Sequence, residues 1–194
     1  MMMPAIWIAA AYLLGSIPTG LLLGKLYGID VRKEGSGNIG ATNLYRTVGR
    51  KVGIMTLIGD CLKGMLPVLL AWKLGMGEPI QAWIGLAAFC GHVFSVFLLF
   101  KGGKGVATAL GVFLAVSPLA VLGALIVFLV LVVIWRYVSL GSIMAAAVMP
   151  IIVWFRPHSP ELLIATALIA AIVIVKHHTN ISRLVAGTES KFKA

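Results

Sequence analysis

Three stretches of this 194-residue chain combine glycine, basic and hydrogen-bonding residues in patterns suited to phosphate. The first is Gly35-Ser36-Gly37-Asn38-Ile39-Gly40-Ala41-Thr42-Asn43, followed by Arg46. Glycine allows positive φ and close approach of backbone to ligand, and successive exposed N–H groups make an anion-binding nest. Ser36, Asn38, Thr42 and Asn43 add hydrogen-bonding side chains, and Arg46 offers a bidentate fork for phosphate. Alone, such a run is more often a surface loop whose Asn and Gly residues form turns.

The second stretch is Lys101-Gly102-Gly103-Lys104-Gly105, continuing into Val106-Ala107-Thr108. Glycines and lysines just before a helix make a phosphate cradle. Backbone N–H groups and the positive helix end face the anion, and lysine adds point charge. The G-x-x-x-x-G-K-[ST] pattern of a Walker A loop is absent. The competing reading is a tight inter-helix turn with snorkelling lysines. The third stretch is Lys176-His177-His178-Thr179-Asn180-Ile181-Ser182-Arg183-Leu184, with Gly187 and Glu189 beyond. If the preceding helix continues, His177, Asn180 and Arg183 share a face at i, i+3 spacing. Histidine can move a proton near neutral pH, Asn can hold a hydroxyl or carbonyl, and Arg can bind phosphate. A basic helix end anchored at lipid headgroups is the plainer alternative. No metal is expected, since no carboxylate or cysteine completes a ligand set at a standard spacing.

Isolated polar residues carry less. Asp60 and Lys63, at i, i+3 inside an apolar run, read as an internal ion pair that fixes helix packing. His92 reads as a hydrogen bonder between helices, Ser139 as an N-cap, and Ser142 as a polar group at the start of a span. Cys61 and Cys90 lie in apolar runs and read as packing residues.

The elements that must position these groups are membrane spans. The chain is 60% hydrophobic and 11% charged, with a net charge of +10 and a mean hydropathy of +1.04. Soluble domains carry about 25% charged residues, so an ordinary soluble domain and a disordered chain are both excluded. Apolar runs of spanning length lie near Pro4–Gly24, Val52–Trp72, Ile80–Phe100, Ser139–Phe155 and Glu161–Lys176. The first has no basic leader before it, which argues against a cleaved signal. Gly105–Trp135 is ambiguous. As one helix it would reach about 46 Å, against a hydrocarbon core of about 30 Å, and Ser117-Pro118 interrupts it. The positive-inside rule decides. Seven spans with the N-terminus outside put thirteen of the sixteen Lys and Arg on the cytoplasmic side, two outside and Lys63 within a span. Six spans give nine against six. The expected architecture is therefore all-α and polytopic, with seven transmembrane helices, a short fourth span near Gly105–Val116, and one domain over residues 1–194. All three polar stretches then face the cytoplasm, so the basic excess meets membrane and phosphate rather than nucleic acid.

Together, in this order, the three stretches are far more specific than any one of them. With Gly91-His92-Val93-Phe94-Ser95 leading into Phe100-Lys101, they resemble the bacterial integral-membrane glycerol-3-phosphate acyltransferases that use acyl phosphate. The resemblance covers nearly the whole chain. Ser95 departs from it, standing where many members are expected to carry Pro. The resemblance implies transfer of an acyl group from acyl phosphate to the 1-hydroxyl of glycerol 3-phosphate. The products are 1-acylglycerol 3-phosphate (a lysophosphatidic acid) and inorganic phosphate, in the first acylation of phospholipid synthesis. It implies no cofactor and no metal, a multi-pass protein of the bacterial cytoplasmic membrane in contact with lipid, and a monomer or weak oligomer.

On that reading Lys104 and the N–H groups of Gly102, Gly103 and Gly105 hold the acyl phosphate's phosphoryl group, with Ser142 or Thr42 as a further donor. Lys101, Thr108, Lys176 and Arg183 support phosphate binding, as do Gly37, Asn38 and Asn43. Ser36, Arg46, His177 and Asn180 hold glycerol 3-phosphate and orient its hydroxyl. Either His177 or substrate phosphate takes the proton, and Glu189 organises the basic tail by pairing with a nearby Arg or Lys. The rival readings are weaker. A transporter for a phosphorylated metabolite predicts polar residues reaching the outer face. The H-x-x-x-x-D of other glycerolipid acyltransferases and the D-G-x-x-A-R of phosphatidyl-transfer enzymes are absent. A Ser36–His177 protease would be expected to bury its nucleophile in a span.

Overall fold

The computed structural model describes residues 4–192, and no strand occurs among them. Every segment expected to span is built on at least one α-helix. The first comprises α1 (Pro4–Ser16) and α2 (Thr19–Leu26). Pro18 has no N–H to donate, so the ladder is interrupted between the two. The short helix α3 (Ala41–Thr47) lies in the following loop; α4 (Arg50–Lys73), α5 (Glu78–Val93) and α6 (Val106–Val116) come next. They are followed by α7 (Pro118–Trp135), α8 (Val138–Trp154), α9 (Pro160–Lys176) and α10 (His178–Val185).

By length and apolar character, Pro4–Leu26, Arg50–Lys73, Glu78–Leu98 and Pro118–Trp135 can each cross a membrane, and α9 with α10 makes a fifth, bent candidate. The apolar helices α6 and α8 are shorter. The break expected at Ser117-Pro118 is present: α6 stops at Val116, and Pro118 opens α7, where its fixed φ suits the first turn. At 11 residues, α6 reaches about 16 Å, roughly half the hydrocarbon thickness. On α7, Ile126, Val133 and Ile134 are exposed, as suits a surface facing lipid.

The chain forms two compact units, Met1–Val116 and Ser117–Ala194. In the first, α1 packs on α5 and α4 on α6. Glycines let these backbones approach closely: a Cβ on Gly15 would strike the Ala88 carbonyl, and one on Gly111 the Cys61 carbonyl. Leu21, Val31, Ile39, Leu44 and Val52 form a buried cluster that pins the loop between α2 and α4. In the second unit, α7 packs on α8 and α8 on α9.

Three expectations are corrected. The third apolar run does not stay helical to Phe100: α5 ends at Val93 and a single 3-10 turn, Val96–Leu98, follows. The final helix does not continue straight through the third polar stretch. It breaks at His177 (φ −97°, ψ 9°), and α10 leaves α9 at 55°. Ser139 is no N-cap. Helix α8 begins one residue earlier, after Tyr137, and the Ser139 hydroxyl points elsewhere.

Candidate active site

In the first unit, the Gly35–Asn43 loop is organised by Asn43. Its buried side chain accepts from the Ser36 N–H at 2.9 Å and donates to the carbonyls of Asn38 at 2.8 Å and of Val31 and Glu34 at 3.1 Å. Asn38 closes a local turn by accepting from the Gly40 N–H at 2.9 Å. Gly35 and Gly37 sit at φ +56° and +69°, a region that costs other residues strain. The amides of Asn43 and Asn38 are thus engaged with backbone, while Ser36 and Arg46 lie on the exposed side. Asp30, at the mouth of the loop, is clamped by the Arg32 guanidinium at 2.6 and 2.8 Å. That contact holds its carboxyl well below the usual carboxylate range.

The Lys101–Gly105 loop is tied to the end of α5. The Gly102 N–H donates to the Val93 carbonyl and the Gly103 N–H to the His92 carbonyl, each at 3.1 Å. These bonds satisfy carbonyls that the helix end would leave open. They also take up two of the N–H groups expected to face phosphate. Of the groups expected to face phosphate at this loop, Lys104, the Gly105 N–H and the N-terminal end of α6 are not taken up by these two bonds. Close approach explains the glycines: a Cβ on Gly103 would strike His92 Nε2, and one on Gly105, at φ +82°, the buried Phe89 ring. Gly105→Ala should cost on the order of 2–4 kcal/mol through positive-φ strain and overpacking. Thermal unfolding in detergent checks this, and an unchanged Tm would contradict it. Thr108 is fully buried, and its hydroxyl has no hydrogen-bond partner among the described residues.

Also in this unit, Lys63 Nζ lies 2.7 Å from Asp60 Oδ1, and both side chains are buried. The same lysine donates to the Ile17 carbonyl at 2.7 Å, and Ser95, the departure noted in the sequence, donates to the Ser16 carbonyl at 2.6 Å. Both bonds supply donors where Pro18 interrupts the first span.

In the second unit, three donors converge on one carboxylate. Ser139 Oγ (2.7 Å) and Asn180 Nδ2 (2.6 Å) reach Glu189 Oε1, and Arg183 Nε reaches Oε2 at 2.7 Å. Burial raises the affinity of Glu189 for a proton, but the three hydrogen bonds and the Arg183 charge outweigh it, so its carboxyl lies below the ordinary value. Ser139 has no spacing relation to Glu189, and sequence reasoning missed it. His177 is buried, and its Nδ1 lies 2.7 Å from the Val173 carbonyl. A carbonyl only accepts, so Nδ1 carries the hydrogen and the neutral ring has its lone pair on Nε2. Ser142 donates back to the Val138 carbonyl at 2.9 Å.

An all-helical chain with several apolar helices long enough to cross a membrane places the protein in the class of multi-pass integral membrane proteins. Comparison with known proteins narrows it. The glycerol-3-phosphate acyltransferase family matches residues 5–187, and the chain belongs to that family. A glycerol-3-phosphate acyltransferase of Trichlorobacter lovleyi is 86% identical over 188 residues, covering 97% of each chain. One from Geobacter sulfurreducens is 64% identical over 96% of each. The crystal structure of PlsY, an integral membrane glycerol 3-phosphate acyltransferase, in its glycerol 3-phosphate form matches with a TM-score of 0.94 and 42% identity. That match covers 98% of this chain and 96% of PlsY. The lysophosphatidic acid form of PlsY matches at 0.91 and 41%. The chain is accordingly an acyltransferase of phospholipid synthesis and an integral membrane protein.

Proposed function

We propose that the acyl donor is acyl phosphate and that the acyl group goes to the 1-hydroxyl of glycerol 3-phosphate. The match to PlsY in two forms, one with glycerol 3-phosphate and one with lysophosphatidic acid, supports the acceptor and the product of a single acylation, and the acyl phosphate donor rests on the resemblance carried by the three polar stretches. Acyl phosphate is a mixed anhydride with phosphate as leaving group, so the donor arrives activated. The hydroxyl oxygen bonds to the acyl carbon and the carbon–oxygen bond to phosphate breaks. Phosphate leaves with the electron pair, and the hydroxyl proton ends on released phosphate. The protein then supplies mainly positioning and charge stabilisation.

The roles divide by substrate. From the first unit, Lys104, Lys101 and the start of α6 take the phosphoryl group of the acyl phosphate, with Thr42 as an additional hydrogen-bond donor, and Ser36 and Arg46 take the phosphate of the acceptor. Asn43, Asn38 and Thr108 shape these elements rather than touch substrate. From the second unit, His177 Nε2 receives the hydroxyl proton and passes it to the departing phosphate, Asn180 orients the hydroxyl, and Ser142, Lys176 and Arg183 favour the anionic ligands. One domain over residues 1–194 accords with a family match that runs across both units. We place the N-terminus outside the cytoplasmic membrane of a bacterium and the polar loops on the cytoplasmic side, on the strength of the basic residues counted above. No cofactor, metal or nucleic acid enters, and the protein works as a monomer or weak oligomer.

Product analysis tests the chemistry: 1-acylglycerol 3-phosphate and equimolar phosphate are expected. Flux of glycerol 3-phosphate into liposomes without any new ester would instead favour a transporter. Arg46→Lys should raise the KM for glycerol 3-phosphate roughly tenfold, because lysine cannot form a bidentate contact. Near wild-type kinetics would remove Arg46 from acceptor binding.

A further inference from the structure

The reaction as assigned makes no use of three buried side chains inside the first unit, Asp60, Lys63 and His92. Asp60 is 2% exposed, Lys63 5% and His92 4%. Charge inside a membrane protein is costly to keep, and a pair that only tied helices together could be replaced by apolar packing. These three do more than pair. Lys63 reaches from the helix break at Ile17 to Asp60 Oδ1, at 2.7 Å to each. His92 Nδ1 lies 3.6 Å from the same oxygen, an electrostatic contact longer than a hydrogen bond. The opposite edge of the His92 ring, at Nε2, abuts Gly103, and the His92 carbonyl accepts the Gly103 N–H. The imidazole thus stands between a fixed carboxylate and the loop that carries Lys104. Just ahead of that loop, Leu99 and Phe100 hold φ of +51° and +63°. Such conformations persist only where neighbouring structure imposes them.

We propose that Asp60, Lys63 and His92 form a buried strut of positioning residues that sets the seat of the Lys101–Gly105 loop, and through it the affinity for the phosphorylated acyl donor. The strut rests on the assignment of that loop to acyl phosphate. Shortening it or crowding it displaces the loop. Removing ring atoms while adding a Cβ at Gly103 refills the same space.

The test is a kinetic cycle on purified full-length protein with palmitoyl phosphate as donor. His92→Asn and Gly103→Ala should each raise the palmitoyl phosphate KM on the order of tenfold, with the glycerol 3-phosphate KM unchanged. The double variant should return toward wild type. The paired change Asp60→Leu with Lys63→Met, which leaves no lone buried charge, should reproduce the donor effect in folded protein. A wild-type donor KM in both His92→Asn and the paired variant overturns the strut. So do equal rises in both substrates' KM values with a lowered Tm and no recovery in the double variant, which would mark bulk packing. Lys104→Met is measured alongside. If it leaves the donor KM unchanged, the loop assignment itself is overturned, and the strut with it. If it raises the donor KM while the His92 and paired variants do not, the strut alone is overturned.

Discussion

His177→Ala is expected to lower kcat by about 10²–10⁴-fold, the range for loss of a positioned general base, with a smaller change in KM. The argument rests on which ring nitrogen carries the hydrogen. His177 is 3% exposed, and its Nδ1 is 2.7 Å from the Val173 carbonyl. That bond fixes the tautomer and the ring plane, leaving Nε2 with the lone pair that a base requires. The break between α9 and α10 falls at this residue, so the imidazole is set by a helix end rather than by a helix face. Steady-state kinetics with both substrates varied separates the roles. An unchanged kcat with a raised KM would make His177 a binding residue and pass the proton directly to substrate phosphate.

Glu189→Ala is expected to lower kcat by roughly 10²-fold, and to cost about 1–3 kcal/mol of stability for buried donors left without an acceptor. Ser139, Asn180 and Arg183 all donate to this one carboxylate, so its loss removes the acceptor that links Asn180 and Arg183 to the start of α8, while the Phe192 N–H, which donates to the Arg136 carbonyl at 2.6 Å, keeps the tail attached there. The pH dependence follows from the lowered pKa of the folded state. The unfolded chain takes up its proton first as pH falls. The stability that Glu189 contributes is therefore present above the ordinary carboxylate pKa and lost as pH drops through the lower folded value. Glu189→Gln removes this component. Its Tm should lie below wild type at pH 7 and converge with wild type as pH falls through and below the ordinary carboxylate range. Parallel curves over that range would show that the carboxylate charge carries no stability.

The fold was largely readable from the sequence because spanning length and proline position are one-dimensional signals. Ser117-Pro118 marked the division of the long apolar run, and the shortness of α6 followed from it. What escaped were features decided by packing. The helix break at His177 has no proline or glycine to announce it. Phase along an imagined straight helix grouped His177, Asn180 and Arg183, whereas folding groups Asn180 and Arg183 with Ser139 through Glu189. The Gly102 and Gly103 N–H groups looked available for phosphate, because nothing in the sequence reveals that the end of α5 curls back to accept them. Asn43 read as a ligand residue for the same reason: its four backbone partners lie 5 to 12 residues away and meet only when the loop closes.

The central claim concerns the donor. It is tested most directly by incubating the purified protein with glycerol 3-phosphate and either palmitoyl phosphate or palmitoyl-CoA, following lysophosphatidic acid and inorganic phosphate together. The account predicts equimolar ester and phosphate from palmitoyl phosphate and none from the thioester. Folded protein that makes lysophosphatidic acid only from palmitoyl-CoA, or makes none from palmitoyl phosphate, would contradict it.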